Sequence, residues 1–123
     1  MIVDTSVWVG LLRDQSSPPI DQLRRKLKSQ ESVAILPVIL QELLQGARSV
    51  EYFRVLEFRF AAFPVESLAD QSGTARAAAE LCARCRWAGF TPRRSNDCLI
   101  AASCVQLELP LLHNDRDFLA IAR

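Results

Sequence analysis

The chain has 123 residues, half of them hydrophobic and about a quarter charged, which fits one compact domain over residues 1–123 and excludes a disordered, collagenous or repeat protein. Fifteen lysines and arginines against fourteen aspartates and glutamates leave a formal net charge of +1, so overall charge does not mark a nucleic-acid binder. The longest apolar run, VAILPVIL at 33–40, falls short of the roughly 20 residues a membrane span needs, and MIVD at the start lacks the features of a secretory signal, so a cytoplasmic protein with no membrane segment is expected.

The first apolar run, IV before Asp4, reads as a strand, and TSVWVGLLR after it as a helix. IDQLRRKLK places Ile20, Leu23 and Leu27 at helical spacing. VAIL at 33–36 predicts a second strand, followed by a helix over VILQELLQGA that stops near Gly46, and SVEYFRVLEFRF continues the helical content. AFPV at 62–65 predicts a third strand. SLADQSGTARAAAELCARCRWAG predicts a long helix, with Gly73 as a candidate interruption and Gly89 as its end. SNDCLIAASCVQLEL predicts another helix, capped by Ser95 or Asn96, before a fourth strand in PLLH at 110–113 and a closing helical stretch, DRDFLAIAR. Pro64 and Pro110 belong near strand starts or edges, because proline cannot donate to a ladder. Strands separated by helices imply a three-layer α/β/α domain with a short parallel central sheet.

Two features are weak signals on their own. Cys82 and Cys85 form a CxxC, but it lies in an alanine-rich helical stretch with no second cysteine pair nearby, and the chain has one histidine. Small helix-packing side chains explain this pair better than a zinc or redox site. Basic residues gather in RRKLK at 24–28 and at Arg93 and Arg94, where solvated helix faces are the simpler explanation.

The acids carry more information. Ligands of a parallel α/β sheet bind at the carboxyl ends of its strands. Asp4 directly follows the first strand, and Asp115 and Asp117 follow the last. Asp97 stands near the start of the helix running into CLIAA, and Glu42 lies among Ile39, Leu40, Leu43 and Leu44. Singly, each has an ordinary explanation as a cap, a turn residue or a solvent-facing position. Together they form a cluster that repels itself without a cation, and all-oxygen carboxylate ligation suits Mg²⁺ or Mn²⁺.

MIVDTS, QELLQG, NDCLIAA and LLHNDRDF, in this order and spacing, resemble the four motif blocks of PIN-domain ribonucleases, specifically the VapC toxins of bacterial toxin–antitoxin pairs. The resemblance implies a PIN-like fold with Asp4, Glu42, Asp97 and Asp115 as the acidic quartet and Asp117 as a fifth acid. Thr5 and Ser6 fall in the block where a hydroxyl supports the site, with Ser6 preferred, and Asn114 is a further supporting candidate. His113 and Asn114 depart from the threonine and polar or basic residue more frequent there. The sole histidine reads as a structural residue at a strand end in preference to a general base.

A divalent ion lowers the pKa of the attacking water and neutralises charge on the phosphoryl oxygens, so the expected activity is metal-dependent endoribonuclease cleavage. Arg93, Arg94 and Arg116 are candidates to hold RNA phosphates. The resemblance further implies in-line attack leaving a 5′-phosphate and a 3′-hydroxyl, tRNA or rRNA as target, a cognate VapB-type antitoxin and a homodimer. Trp8, Tyr52, Phe53, Phe58 and Phe60 offer aromatic surface for such contacts, about half of it expected in the core. Three rivals fit less well. A receiver domain needs paired acids after the first strand and a late lysine, yet Thr5 follows Asp4 and the lysines are Lys26 and Lys28. A haloacid-dehalogenase-type phosphatase needs an acid where Ser6 stands. A PIN-like module that only binds RNA or partners does not need the intact acids.

Overall fold

The computed structural model describes residues 1–91 and 96–113. Its elements in chain order are β1 (Ile2–Val3), α1 (Thr5–Leu12), α2 (Pro18–Lys28), α3 (Pro37–Gln45), α4 (Val50–Phe60), α5 (Gln71–Trp87), α6 (Asn96–Leu107) and β2 (Leu111–Leu112). The stretch DRDFLAIAR lies outside the described residues.

β1 and β2 pair in parallel, Ile2 opposite Leu111 and Val3 opposite Leu112. The other two predicted strands shorten to extended segments joined by isolated parallel bridges, Ile2 to Ala34 and Ile35 to Val65. Backbone hydrogen bonds make the four segments one surface: Ile2 N–H donates to Pro110 O, Ala34 N–H to Met1 O and Ile35 N–H to Pro64 O, each at 2.9 Å. Both prolines thus contribute carbonyls at strand starts, where a missing N–H does no harm. The spatial order is Val65, Ala34–Ile35, β1, β2, so the chain steps outward in one direction from β1 and then returns to its other side. Ile2 and Val3 point to opposite faces, as neighbours in a strand must, and both are 0% exposed. Both faces are therefore covered, as an all-parallel sheet requires.

Local chemistry starts the helices where the sequence offers oxygen acceptors. Asp4, Ser17, Ser49 and Asp70 cap α1, α2, α4 and α5 by accepting from Ser6, Ile20, Tyr52 and Gly73 N–H groups. α3 starts instead at Leu36 and Pro37 without a side-chain cap. The expected long helix over 67–89 is shorter than its pattern: Asp70 caps it, Ser67 to Asp70 lie outside it, and Gly73 sits in its first turn rather than breaking it. Gly89 does end it, with φ +87°.

α1 packs on α2, α5 on α6, and α3 meets α1, α4 and α6. Leu23, Ile35, Ile39 and Ile100 are each 0% exposed in the shared core. Trp8 packs edge-to-face on Phe60 and Phe63, with centroids 5.1 and 5.2 Å away. Among the aromatics singled out from sequence, Trp8 and Phe60 are core, Phe53 is half-buried, and Tyr52 and Phe58 are exposed. No described helix is long and apolar enough to cross a membrane.

Candidate functional site

The parallel register fixes what stands at the carboxyl edge of the sheet. One position beyond the paired residues, the four segments present Glu66, Leu36, Asp4 and His113 in a row. Neighbouring strands lie about 4.8 Å apart, so Leu36 and His113 flank the Asp4 backbone at about 5 Å and Glu66 stands about 10 Å away. The strand order reverses at β1, beside β2, which is where open parallel sheets bind ligands.

Asp4 occupies that point. Its N–H donates to Leu112 O at 2.9 Å, tying it to β2, and its side chain caps α1. One carboxylate oxygen, Oδ2, accepts from Ser6 Oγ at 2.7 Å and from Ser6 N–H at 3.3 Å. The residue is 0% exposed. Its capping role and its place at the edge are compatible, since the second carboxylate oxygen does not receive the Ser6 bonds.

Glu42 comes from α3, which packs against α1. Thr5 Oγ1 donates to Glu42 Oε1 at 2.7 Å and so holds this acid beside the residue that follows Asp4. Ser6, preferred from sequence as the supporting hydroxyl, serves Asp4; Thr5 serves Glu42. The Thr5 link joins groups 37 residues apart, and no local motif announces it. Asp97 lies in the first turn of α6 and is also 0% exposed. Since α3 touches both α1 and α6, the elements bearing Asp4, Glu42 and Asp97 are in contact. Among the described residues no three metal-capable side chains converge into a closed ligand cluster. Asp115 and Asp117, with Asn114, Arg93, Arg94 and Arg116, lie outside the described residues.

Burial shapes the thiols around these acids. Cys98, next to Asp97, is pushed up from 9.0 to about 12, first by burial and then by Cys82, Cys85 and Asp97. Cys104 is pushed up to about 11, again mainly by burial, with Asp4 adding to the rise and the amino terminus opposing it. Both stay protonated at neutral pH and are poor nucleophiles. Cys82 and Cys85 are half-buried against the core, filling the seam between α5 and α6.

The donor chemistry fits a hard divalent cation. Two wholly buried aspartates and a glutamate held by a hydroxyl are oxygen ligands of the kind such ions select.

Comparisons with known proteins identify the fold and the family. The PIN domain family model matches residues 1–123. The chain is 35% identical over 124 residues to VapC ribonuclease Mb1587 of Mycobacterium bovis, spanning 100% of this chain and 92% of the relative. Identity and coverage are the same with ribonuclease VapC11 of Mycobacterium tuberculosis. The crystal structure of VapBC2 from Rickettsia felis, bound to a DNA fragment from the promoter, shares the fold with a TM-score of 0.70 at 18% identity, over 93% of this chain and 86% of that one. The chain belongs to the PIN-domain family and, within it, to the VapC ribonucleases.

Proposed function

We propose that the chain is a single-domain, divalent-metal-dependent endoribonuclease and the toxin of a VapBC-type pair, cleaving tRNA or rRNA in the cytoplasm. The observation that carries this reading is the placement of Asp4 at the strand-order reversal, wholly buried and oriented by Ser6, with Glu42 tethered beside it by Thr5. Asp4 and Asp97, with Asp115 and Asp117, would hold Mg²⁺ or Mn²⁺. When bound, the cation supplies a more acidic water and neutralises charge gathering on the phosphoryl oxygens. Glu42, held at one oxygen by Thr5, orients the attacking water or completes the metal shell. Arg93, Arg94 and Arg116 attract and seat the phosphates of an anionic substrate that the acids alone would repel. Ser6 and Thr5 keep the two acids in place, and Asn114 supplies a polar contact beside them.

A VapB-type antitoxin and a second copy of the chain are the protein partners of this reading. The fold's occurrence in a VapBC complex supports the first. The apolar side chains that α4 leaves exposed, Val50, Val55 and Phe58, supply surface for such contacts.

Cleavage of pooled cellular RNA by the purified chain with Mg²⁺, with Mn²⁺ and with EDTA, beside Asp97→Asn, tests the reading. Fragments should require metal and fall about a hundred-fold or more in the variant, since metal-held charge stabilisation contributes several kcal/mol. A folded wild type that cuts nothing with either ion, or a variant that cuts equally well, would overturn it in favour of a PIN module that only binds.

A further inference from the structure

A cavity of about 500 Å³ opens at the carboxyl edge of the sheet, on the side of β1 away from β2. Its floor includes Leu36 and Glu66, the two residues that continue the edge row beyond Asp4. Asn96 lines it from α6 and is the immediate neighbour of Asp97. The cavity therefore adjoins the proposed reaction centre, within the reach of one nucleotide.

Its walls have two characters. Pro37, Leu68 and Leu99 make an aliphatic wall, with the buried Leu36 behind it. Gln41, Glu66, Gln71 and Asn96 bring amides and one carboxylate, and none of these side chains is engaged by another described group. α3 also opens here without a side-chain cap, so the positive end of a nine-residue helix borders the cavity. Proteins read unstacked bases of single-stranded RNA by hydrogen bonds to their edges, and the polar groups at this rim are of the kind that make them; aliphatic contact here takes the place of the usual aromatic stacking.

We infer that this cavity is a base-reading subsite that takes the guanine of the nucleotide next to the scissile phosphate; the inference rests on the ribonuclease reading above. The selection of guanine follows from Glu66. A carboxylate offers two parallel acceptors and no donor. The Watson–Crick edge of guanine presents two adjacent donors, N1–H and N2–H, to match them. Cytosine and adenine offer one exocyclic amine beside an acceptor, and uracil a lone N–H between two acceptors, so each sets an acceptor against the carboxylate.

Two measurements test this. Sequencing the ends cut from a randomised RNA pool should show guanine enriched about ten-fold or more at one fixed position beside the cut, the discrimination expected of a bidentate pair. Glu66→Gln should lose that enrichment. If the wild type cuts without guanine preference, or Glu66→Gln keeps it, the subsite is wrong while the ribonuclease reading stands. If the wild type does not cut, the ribonuclease reading fails, and the cavity is judged by a metal-free titration of the ¹⁵N-labelled chain with guanosine and cytidine 5′-monophosphates. Shifts at Ser67, Gln71 and Asn96 with guanosine binding about ten-fold tighter keep the guanine site; equal or absent shifts overturn it.

Discussion

At the scale of the residue, hydroxyls decide how the acids stand. Ser6 and Thr5 are adjacent in the chain, yet one orients Asp4 and the other Glu42. Thr5→Val keeps the shape and removes only the donor. Given the proposed role of Glu42, kcat on RNA should fall 10- to 100-fold, as for other groups that orient catalytic ligands, with KM nearly unchanged. Thermal unfolding should move little, because one such bond contributes about 1 kcal/mol net. Thr5→Ser should restore the rate; a serine variant as slow as the valine one would show that the methyl, and not the hydroxyl, matters. Asp4 was legible from sequence because it directly follows a strand. The pairing of Thr5 with Glu42 was not, since it arises only when α3 folds back on α1. Asp97 could be read from its position ahead of an apolar helix, but its complete burial depends on packing that sequence patterns do not specify.

At the scale of the element, helix ends explain most of what the pattern missed. α5 stops at a Schellman turn: Gly89 N–H donates to Arg86 O at 2.9 Å and Phe90 N–H to Cys85 O at 2.8 Å. Gly89 was legible as a stop because glycine enters the left-handed region freely. α1, α2 and α6 end with the same paired bonds, but with Asp14, Gln30 and Glu108 at φ near 55°. No glycine marks these ends, yet the apolar patterns placed the end of α2 at Lys28 and that of α1 within one residue, while α6 stops at Leu107, two residues short of its pattern. Asp14 is partly compensated by Arg24, 3.3 Å from its carboxylate, whereas Gln30 is exposed and shows no such contact among the described residues. Gln30→Gly should therefore stabilise the protein by about 0.5–1 kcal/mol, read as a higher urea midpoint with unchanged slope. A lower midpoint would mean that unfolded-chain entropy outweighs the relief of left-handed strain. The predicted strands at 33–36 and 62–65 contracted for a related reason. Apolar runs show that a segment is buried and extended, but the number of ladder bonds depends on how its neighbours twist.

At the scale of the whole molecule, the alternation of strands and helices was enough to predict a parallel sheet covered on both faces, while the order of its segments required the bridges themselves. Buried thiols couple this packing to pH. Cys98 holds its proton to about 12 in the folded chain, against 9.0 for an ordinary thiol, and Cys104 to about 11. Above pH 9 the unfolded chain has released protons that the folded chain retains, so stability present below that value is lost as pH rises toward 12. The urea midpoint should fall between pH 8 and pH 10, and fall less in Cys98→Ala; an equal fall would assign the loss to other groups. The pairing of β1 with β2 has a consequence of another kind. Ile2 and Val3 are made well before their partners Leu111 and Leu112, which lie more than a hundred residues later in the chain. The edge on which Asp4 stands is finished only when β2 has been made and has paired with β1. A chain still being made thus carries Asp4 without the strand that binds its backbone N–H, and the carboxyl edge of the sheet closes only when β2 arrives.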